Sequence, residues 1–343
     1  MNVKNEIIES LQNIAQLRSQ NFSRFTNRLR TFPLRALISS DLLSPAIALH
    51  PNALVSELQI RFYLLKRYRR TFGVYPRLNP PVSFNERILH RLIYDRDPKL
   101  RIVSDKLAVR GLIEERVGKE CVVPLLGVWE RPREIAWHTL PEKFVLKPNH
   151  AAGAFAIVDR SVGVNIEALT AEAKEWLSYD YFERSLEWGY RGIPRRVLAE
   201  PFLYSSNGGA APEAQVFTFS GKAALIYVLV GTKRSPERRG CWFDVTGRQV
   251  AIKIKRIPYA EFQLSDADRQ RMVEIAERVS QDFSHLRVDF FIATTGLKIG
   301  ELTPYMHAGL APWDPPELDE KLGQLWNPNC DLSIIPDYKR KDP

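Results

Sequence analysis

The chain has 343 residues, 45% hydrophobic and 26% charged, a balance that suits one large or two to three ordinary globular domains and excludes extensive disorder. Its formal charge is +9, but residues 1–80 hold twelve Lys or Arg against four Asp or Glu, so the remainder is nearly neutral and no specific nucleic-acid groove is expected. The three cysteines, Cys121, Cys241 and Cys330, lie far apart without a CxxC, which builds neither a disulfide framework nor a zinc motif.

Residues 3–18 place Val3, Ile7, Ile14 and Leu17 on one helical face. Residues 53–70 form a second expected helix, with basic groups near its C-terminus where the dipole favours them. Pro and Gly around 73–81 then break the pattern. Neither a signal-peptide pattern nor a run of about 20 apolar residues occurs. A cytoplasmic protein is therefore expected, and its basic N-terminal section is free to touch the inner face of a membrane peripherally.

Further along, SFNERILHRLIYDRD opens a helix, with Ser83 as cap and Glu86 as its capping-box partner. SDKLAVRGLIEERVG predicts another, capped by Ser104 or Asp105 and ended by Gly118. CVVPLLGVW reads as a strand interrupted by Pro124. KFVLKPNHAAGAFAIVDR reads as strand, Gly-containing loop, strand. Residues 166–189 fit a helix, and RRVLAEPFL a short strand. EAQVFTFSGKAALIYVLV gives two strands about the turn Ser220-Gly221. Residues 264–280 form a helix capped near Ser265. HLRVDFFIATTGLKIGELTP gives two antiparallel strands about Thr295-Gly296, and the Pro-rich tail after Pro304 is expected to fold over earlier elements. The whole reads as a mixed α/β (α+β) enzyme.

Several side chains carry possible chemistry, each with a plainer structural alternative. Lys147, at a strand end before Pro148-Asn149, suits a point charge on phosphate, or a surface lysine. Gly153 lets backbone amides approach phosphate oxygens, and His150 can position phosphate or simply brace the loop. Lys106, at an expected helix start, can reach across a nucleotide cleft despite opposing the helix dipole. Glu200 can receive an adenine or ribose donor beside an apolar wall that includes Phe202, or serve as a salt-bridged glutamate. Asp289 and Glu301, on paired strands, can hold Mg²⁺, with Thr303 offering a neutral oxygen and Arg287 balancing phosphate charge. A cross-strand salt-bridge cluster is the alternative. Lys233, Arg234, Arg238 and Arg239 form a basic segment for phosphate, an acidic substrate or solvent.

In this order, SDKLAVRGLIEERVG, VVPLLGVW, KFVLKPNHAAGAFAIV, RRVLAEPFL, EAQVFTFSGK and RVDFFIATTGLKIGELTPY resemble the TupA-like branch of the ATP-grasp superfamily, associated with teichuronopeptide biosynthesis. The resemblance implies a nucleotide cleft between two mixed α/β subdomains, residues 81–198 with the preceding helices and 199–315 with the metal carboxylates. A mostly helical section, 1–80, precedes them and a tail, 316–343, follows. It implies ATP and Mg²⁺, with Lys106 and Lys147 on phosphates, Glu200 on the adenosine side, and Asp289 and Glu301 on the metal. Many ATP-grasp enzymes carry Asn where this chain has Thr303. The implied activity is an ADP-forming carboxylate–amine ligase working through an acylphosphate in cell-envelope polymer biosynthesis, with a carboxylate substrate and an amine or polymer-linked acceptor. A sugar or polymer phosphotransferase and a noncatalytic envelope-polymer scaffold are the alternative readings.

Overall fold

A computed structural model describes residues 51–254 and 257–330. The helix expected over residues 3–18 lies outside the described residues, as does the end of the tail from 331 onward. The chain divides into two compact units, Met1–Pro81 and Val82–Pro343. In the first, α1 (Pro51–Phe72) covers the second expected helix and ends in Arg69 and Arg70. Leu58, Leu64, Leu65 and Tyr68 are buried along it, spaced to share one face. Among the described residues no helix is long and apolar enough to cross a membrane.

The second unit opens with α2 (Phe84–Tyr94). Ser83 Oγ accepts from the Glu86 amide, and Glu86 Oε2 accepts from the Ser83 amide at 3.1 Å, the reciprocal box foreseen from the sequence. Two shorter helices follow, α3 (Lys99–Ser104) and α4 (Ala108–Val117). Here the sequence reading needs correction. Ser104 is the last residue of α3, its hydroxyl donating to the Leu100 carbonyl at 2.7 Å, and α4 has no side-chain cap. Asp105 instead accepts from the Leu107 amide at 2.9 Å within the turn between the helices. Lys106 therefore sits in that turn, not in a first helical turn. Gly118 ends α4 as expected, at φ 95°, a conformation open to glycine.

Four antiparallel strands form the smaller sheet, in the order β1-β4-β2-β3: β1 (Gly127–Trp129), β2 (Lys143–Pro148), β3 (Ala156–Asp159) and β4 (Val197–Pro201). The long strand expected over CVVPLLGVW shrinks to β1, because Cys121 closes a 3-10 turn and Val122 makes an isolated bridge to Ile299. α5 (Ile166–Ser178), capped by Asn165, packs Ala173 and Trp176 against Phe144, Leu146, Val158, Val197 and Ala199 on the sheet's back. The helix expected through residue 189 stops at Ser178. Tyr179 is extended, and Asp180 accepts from the Phe182 amide to cap a separate short helix, α6 (Tyr181–Ser185). The division drawn at 198/199 from the sequence falls inside β4.

The larger sheet runs β11-β10-β5-β6-β7-β8. Its strands are β5 (Glu213–Phe219), β6 (Lys222–Val230), β7 (Arg239–Asp244), β8 (Gln249–Val250), β10 (His285–Ala293) and β11 (Gly296–Thr303). Ser220 and Gly221 both have positive φ, 48° and 76°, as a two-residue hairpin of this hand requires. β7 has no counterpart among the strands expected from the sequence. α7 (Asp266–Ser280), capped by Ser265, lays Met272, Ile275, Ala276 and Val279 on Val216, Ile226, Leu286, Val288 and Phe290. Burying each such large aliphatic or aromatic side chain contributes roughly 1.5–3 kcal/mol.

After Pro304 the chain forms β12 (Trp313–Asp314), paired with β9 (Lys253–Ile254), and α8 (Leu318–Gln324). Leu318 and Leu322 are fully buried, and Phe84 of α2 meets Trp313 and Trp326 edge-on at 5.5 and 5.3 Å. This segment does fold over earlier elements.

Candidate active site

Alternation along β2 buries Phe144 and Leu146 while Lys143, Val145 and Lys147 share the other face. Val145 lies opposite Glu200 of β4. Lys147 Nζ is 2.6 Å from Glu200 Oε2, and Arg110 of α4 brings Nη1 to 3.6 Å from the other oxygen of the same carboxylate. Lys106 approaches from the turn before α4. Its Nζ donates to the Ala151 carbonyl at 2.7 Å and lies 3.5 Å from Glu301 Oε1. Buried Asn149 holds these segments together. Its Nδ2 donates to Asp105 and to the Pro194 carbonyl, and its Oδ1 accepts from the Arg196 amide at 2.7 Å.

On the larger sheet Asp289 faces Glu301 directly, and Arg287 faces Thr303. The register shifts after Asp289, because Gly300 is an extra residue on β11. A Cβ on Gly300 would stand 2.5 Å from the Phe291 ring, so this bulge needs glycine for space. Arg287 forks onto both oxygens of Asp289 at 2.6 Å each and donates to Thr303 Oγ1 at 3.1 Å. Thr303 and Arg287 thus share the carboxylate face, as alternation predicts, and they support Asp289 from the side.

These elements enclose one cleft of about 1040 Å³ counted to its open mouth. Lys106, Lys147 and Lys233 line it with Glu200, Glu213, Asp289 and Glu301. Val145, Ile157, Phe202, Leu203 and Phe291 give it an apolar wall. Burial alone raises the Glu301 pKa, but Lys106, Lys233, Arg287 and Lys147 outweigh that and hold it down at about 2. Burial lowers Lys106, opposed by Glu301 and reinforced by Lys147 and Lys233. Burial raises Asp289, against the pull of Arg287.

Not every expected residue reaches the cleft. His150 is buried on the far side, its Nε2 3.1 Å from the Trp176 carbonyl, and burial lowers its pKa. It braces α5 and does not face the cleft. Of the basic segment, Lys233 lines the cleft and Arg238 pairs with Glu213 at 2.7 Å. Arg234 donates to the Gly153 carbonyl and stacks 4.8 Å over Phe155, while Arg239 donates to the Pro236 carbonyl. Arg110, Asn149, Glu213 and Gln215 were not singled out in the sequence. Gln215 Nε2 lies 3.5 Å from Asp289, and its spacing from Glu213 on one strand face was the signal available.

Among the described residues no group of three or more His, Cys, Asp or Glu could hold a metal ion. A metal here would depend on Asp289 and Glu301, with other oxygens from its ligand. Two carboxylate donors, one kept ionised by four cations, fit a hard cation such as Mg²⁺ better than a soft one.

A family model described as TupA-like ATPgrasp matches residues 86–327. The chain belongs to the TupA-like ATP-grasp family. The matched region of this ATP-grasp chain contains both sheets and every cleft residue, and it leaves out α1. No curated protein matches the chain. Similar solved structures include the ATP-grasp ligase PsnB complexed with minimal precursor, at 13% identity over 61% of this chain and 54% of that one, TM-score 0.35. D-alanine–D-alanine ligase from Bacillus anthracis complexed with ATP matches at 14% over 60% and 55%, TM-score 0.36. The Helicobacter pylori D-alanine–D-alanine ligase matches at 15% over 69% and 59%, TM-score 0.37. The matches thus span little more than half the length of these proteins.

Proposed function

We propose that the cleft binds ATP with Mg²⁺ and that the chain is an ADP-forming carboxylate–amine ligase. The reading is carried by one observation: three lysines and the Asp289–Glu301 pair converge on one cleft with an apolar wall. Family membership supports the nucleotide, and the acid–base arrangement supports the assignment of roles.

Lys147 and Lys106 would hold the phosphates, exchanging their present oxygen partners for phosphate oxygens. Val145, Ile157 and Phe202 would cover the base, and Glu200 would receive an adenosine donor. Asp289 and Glu301 would hold Mg²⁺, which would supply positive charge beside the phosphates. Arg287 keeps Asp289 oriented through its fork and adds a fixed positive charge beside the phosphates. Lys233 adds another from the cleft wall, and Gly153, on the cleft wall, leaves backbone room for the phosphates.

In the reaction, a substrate carboxylate oxygen attacks the γ-phosphorus and ADP leaves. The amine of the acceptor then attacks the activated carbonyl, phosphate leaves, and an amide forms. The lysines and Arg287 offset charge that gathers on the transferring group. No nucleophile from the chain is needed. We place the substrates among cell-envelope polymers or their precursors, in the cytoplasm, on the family association alone.

Product analysis with ATP, Mg²⁺ and a panel of carboxylates and amines tests this. ADP, phosphate and a new amide are expected. ADP with a phosphorylated acceptor would instead make the chain a phosphotransferase. Absence of MgATP binding to the wild-type chain would leave the scaffold reading standing.

A further inference from the structure

We propose that Arg110 is a positioning residue that takes over the charge of Glu200 when Lys147 turns to a triphosphate. The inference rests on the nucleotide reading of the cleft and adds a step that reading does not contain.

Glu200 is 6% exposed, and it stands between two cations. Lys147 holds one oxygen at 2.6 Å, and Arg110 stands 3.6 Å from the other. Their side chains are 11% and 16% exposed, so water screens the triad weakly. As it stands, the Lys147 ammonium is bound to a carboxylate. A phosphate competing for it would strip Glu200 of its closer counter-ion. A buried carboxylate losing its partner is strongly destabilised, and this would oppose the exchange.

Arg110 removes that obstacle. Its guanidinium is always charged and forked. One arm is fixed, Nη2 donating to the Val123 carbonyl at 2.6 Å. The other arm stands 3.6 Å from Glu200, beyond hydrogen-bond distance, so a shift of less than about 1 Å would bond it. Lys147 lines the cleft, whereas Arg110 stands behind Glu200 on α4. Only the lysine can therefore leave towards a ligand, and only the arginine can stay. Without Arg110, Glu200 keeps Lys147 as its sole counter-ion. Phosphate affinity then falls while affinity for the nucleoside does not.

The test is binding of adenosine and MgATP to the full chain, each measured by competition against a fluorescent ATP analogue. Wild type is compared with Arg110→Gln, Arg110→Lys and the double variant Arg110→Gln/Glu200→Gln, with thermal unfolding as a check of the fold. The ratio of ATP to adenosine affinity should fall about tenfold or more in Arg110→Gln. It should be largely kept in Arg110→Lys. It should recover in the double variant, where no carboxylate retains Lys147, even though the loss of Glu200 weakens both ligands. An Arg110→Gln variant that unfolds beside a folded double variant would overturn the proposal, since Arg110 would then be needed for the ligand-free fold and not for the exchange. A wild-type ratio in Arg110→Gln would overturn it, as would a double variant no better than the single or one that does not fold. Wild type binding neither ligand would be a different failure, that of the nucleotide reading itself.

Discussion

Asp289 and Glu301 face each other across β10 and β11, yet their proton affinities are pushed in opposite directions. Burial raises both. Arg287 does not fully offset it at Asp289, whereas four cations overwhelm it at Glu301 and bring that group to about 2. The two carboxylates differ because the lysines gather on the Glu301 side of the pair.

This difference predicts an acid response. The folded pKa of Glu301 lies below its ordinary value of 4.5, so ionised Glu301 stabilises the fold fully above about pH 4.5. That stability is lost as pH falls towards 2. The contribution is on the order of 3 kcal/mol at neutral pH. Chemical denaturation of Glu301→Gln should show a loss of that order at pH 7, narrowing as the pH is lowered. The same variant should lose MgATP binding.

His285 predicts a second pH effect, nearer neutrality. It is fully buried among Phe84, Phe217, Phe219 and Trp326, with Nδ1 2.8 Å from the Thr218 carbonyl and Nε2 without a hydrogen-bond partner. Burial, with Arg91 nearby, holds its pKa well below 6.5. The unfolded chain takes a proton first as pH falls, so stability declines below about pH 6.5 by up to roughly 1.4 kcal/mol per pH unit. In His285→Phe, denaturant midpoints should vary less between pH 7 and 5 than in wild type, whatever the change in absolute stability.

Gly300→Ala should damage fold and site together. The added methyl would meet the Phe291 ring at 2.5 Å, and Phe291 lines the cleft. A cost of about 1–3 kcal/mol is expected from such overpacking. Urea unfolding would read that cost, and nucleotide titration should show weaker binding.

His150→Ala separates the sequence reading from the structure. With its ring on the Trp176 carbonyl and turned from the cleft, His150 should matter for stability and little for ligand. A loss of about 1–2 kcal/mol is expected from the missing hydrogen bond and packing. MgATP affinity should stay within about threefold of wild type. A tenfold or greater loss in a stably folded variant would return His150 to the site.

Much of this site was legible because β-strand alternation and short turns act locally. The run from Arg287 to Thr303 contains its own hairpin, so two carboxylates, Arg287 and Thr303 could be placed on one face without knowing the rest of the fold. The Ser83–Glu86 box was readable for the same reason. What escaped depends on distant partners. Ser104-Asp105 fits a helix end as well as a helix start, and packing of α3 decided it. The loop after Lys147 gave no direction for His150, which α5 supplies through Trp176. Arg110 is 90 positions from Glu200 in the chain, and only the fold brings it within 3.6 Å as that carboxylate's second cation. β7 was hidden because the basic residues before Cys241 resemble a loop, although Tyr227 stacks on Trp242 at 4.2 Å across the pair.

A crystal structure of the chain with Mg²⁺ and a nonhydrolysable ATP analogue tests the central claim most directly. The account predicts phosphates held by Lys106 and Lys147, and the metal between Asp289 and Glu301 and the phosphate oxygens. An analogue bound at full occupancy elsewhere, with Lys147 still on Glu200 and no metal at the two carboxylates, would contradict it.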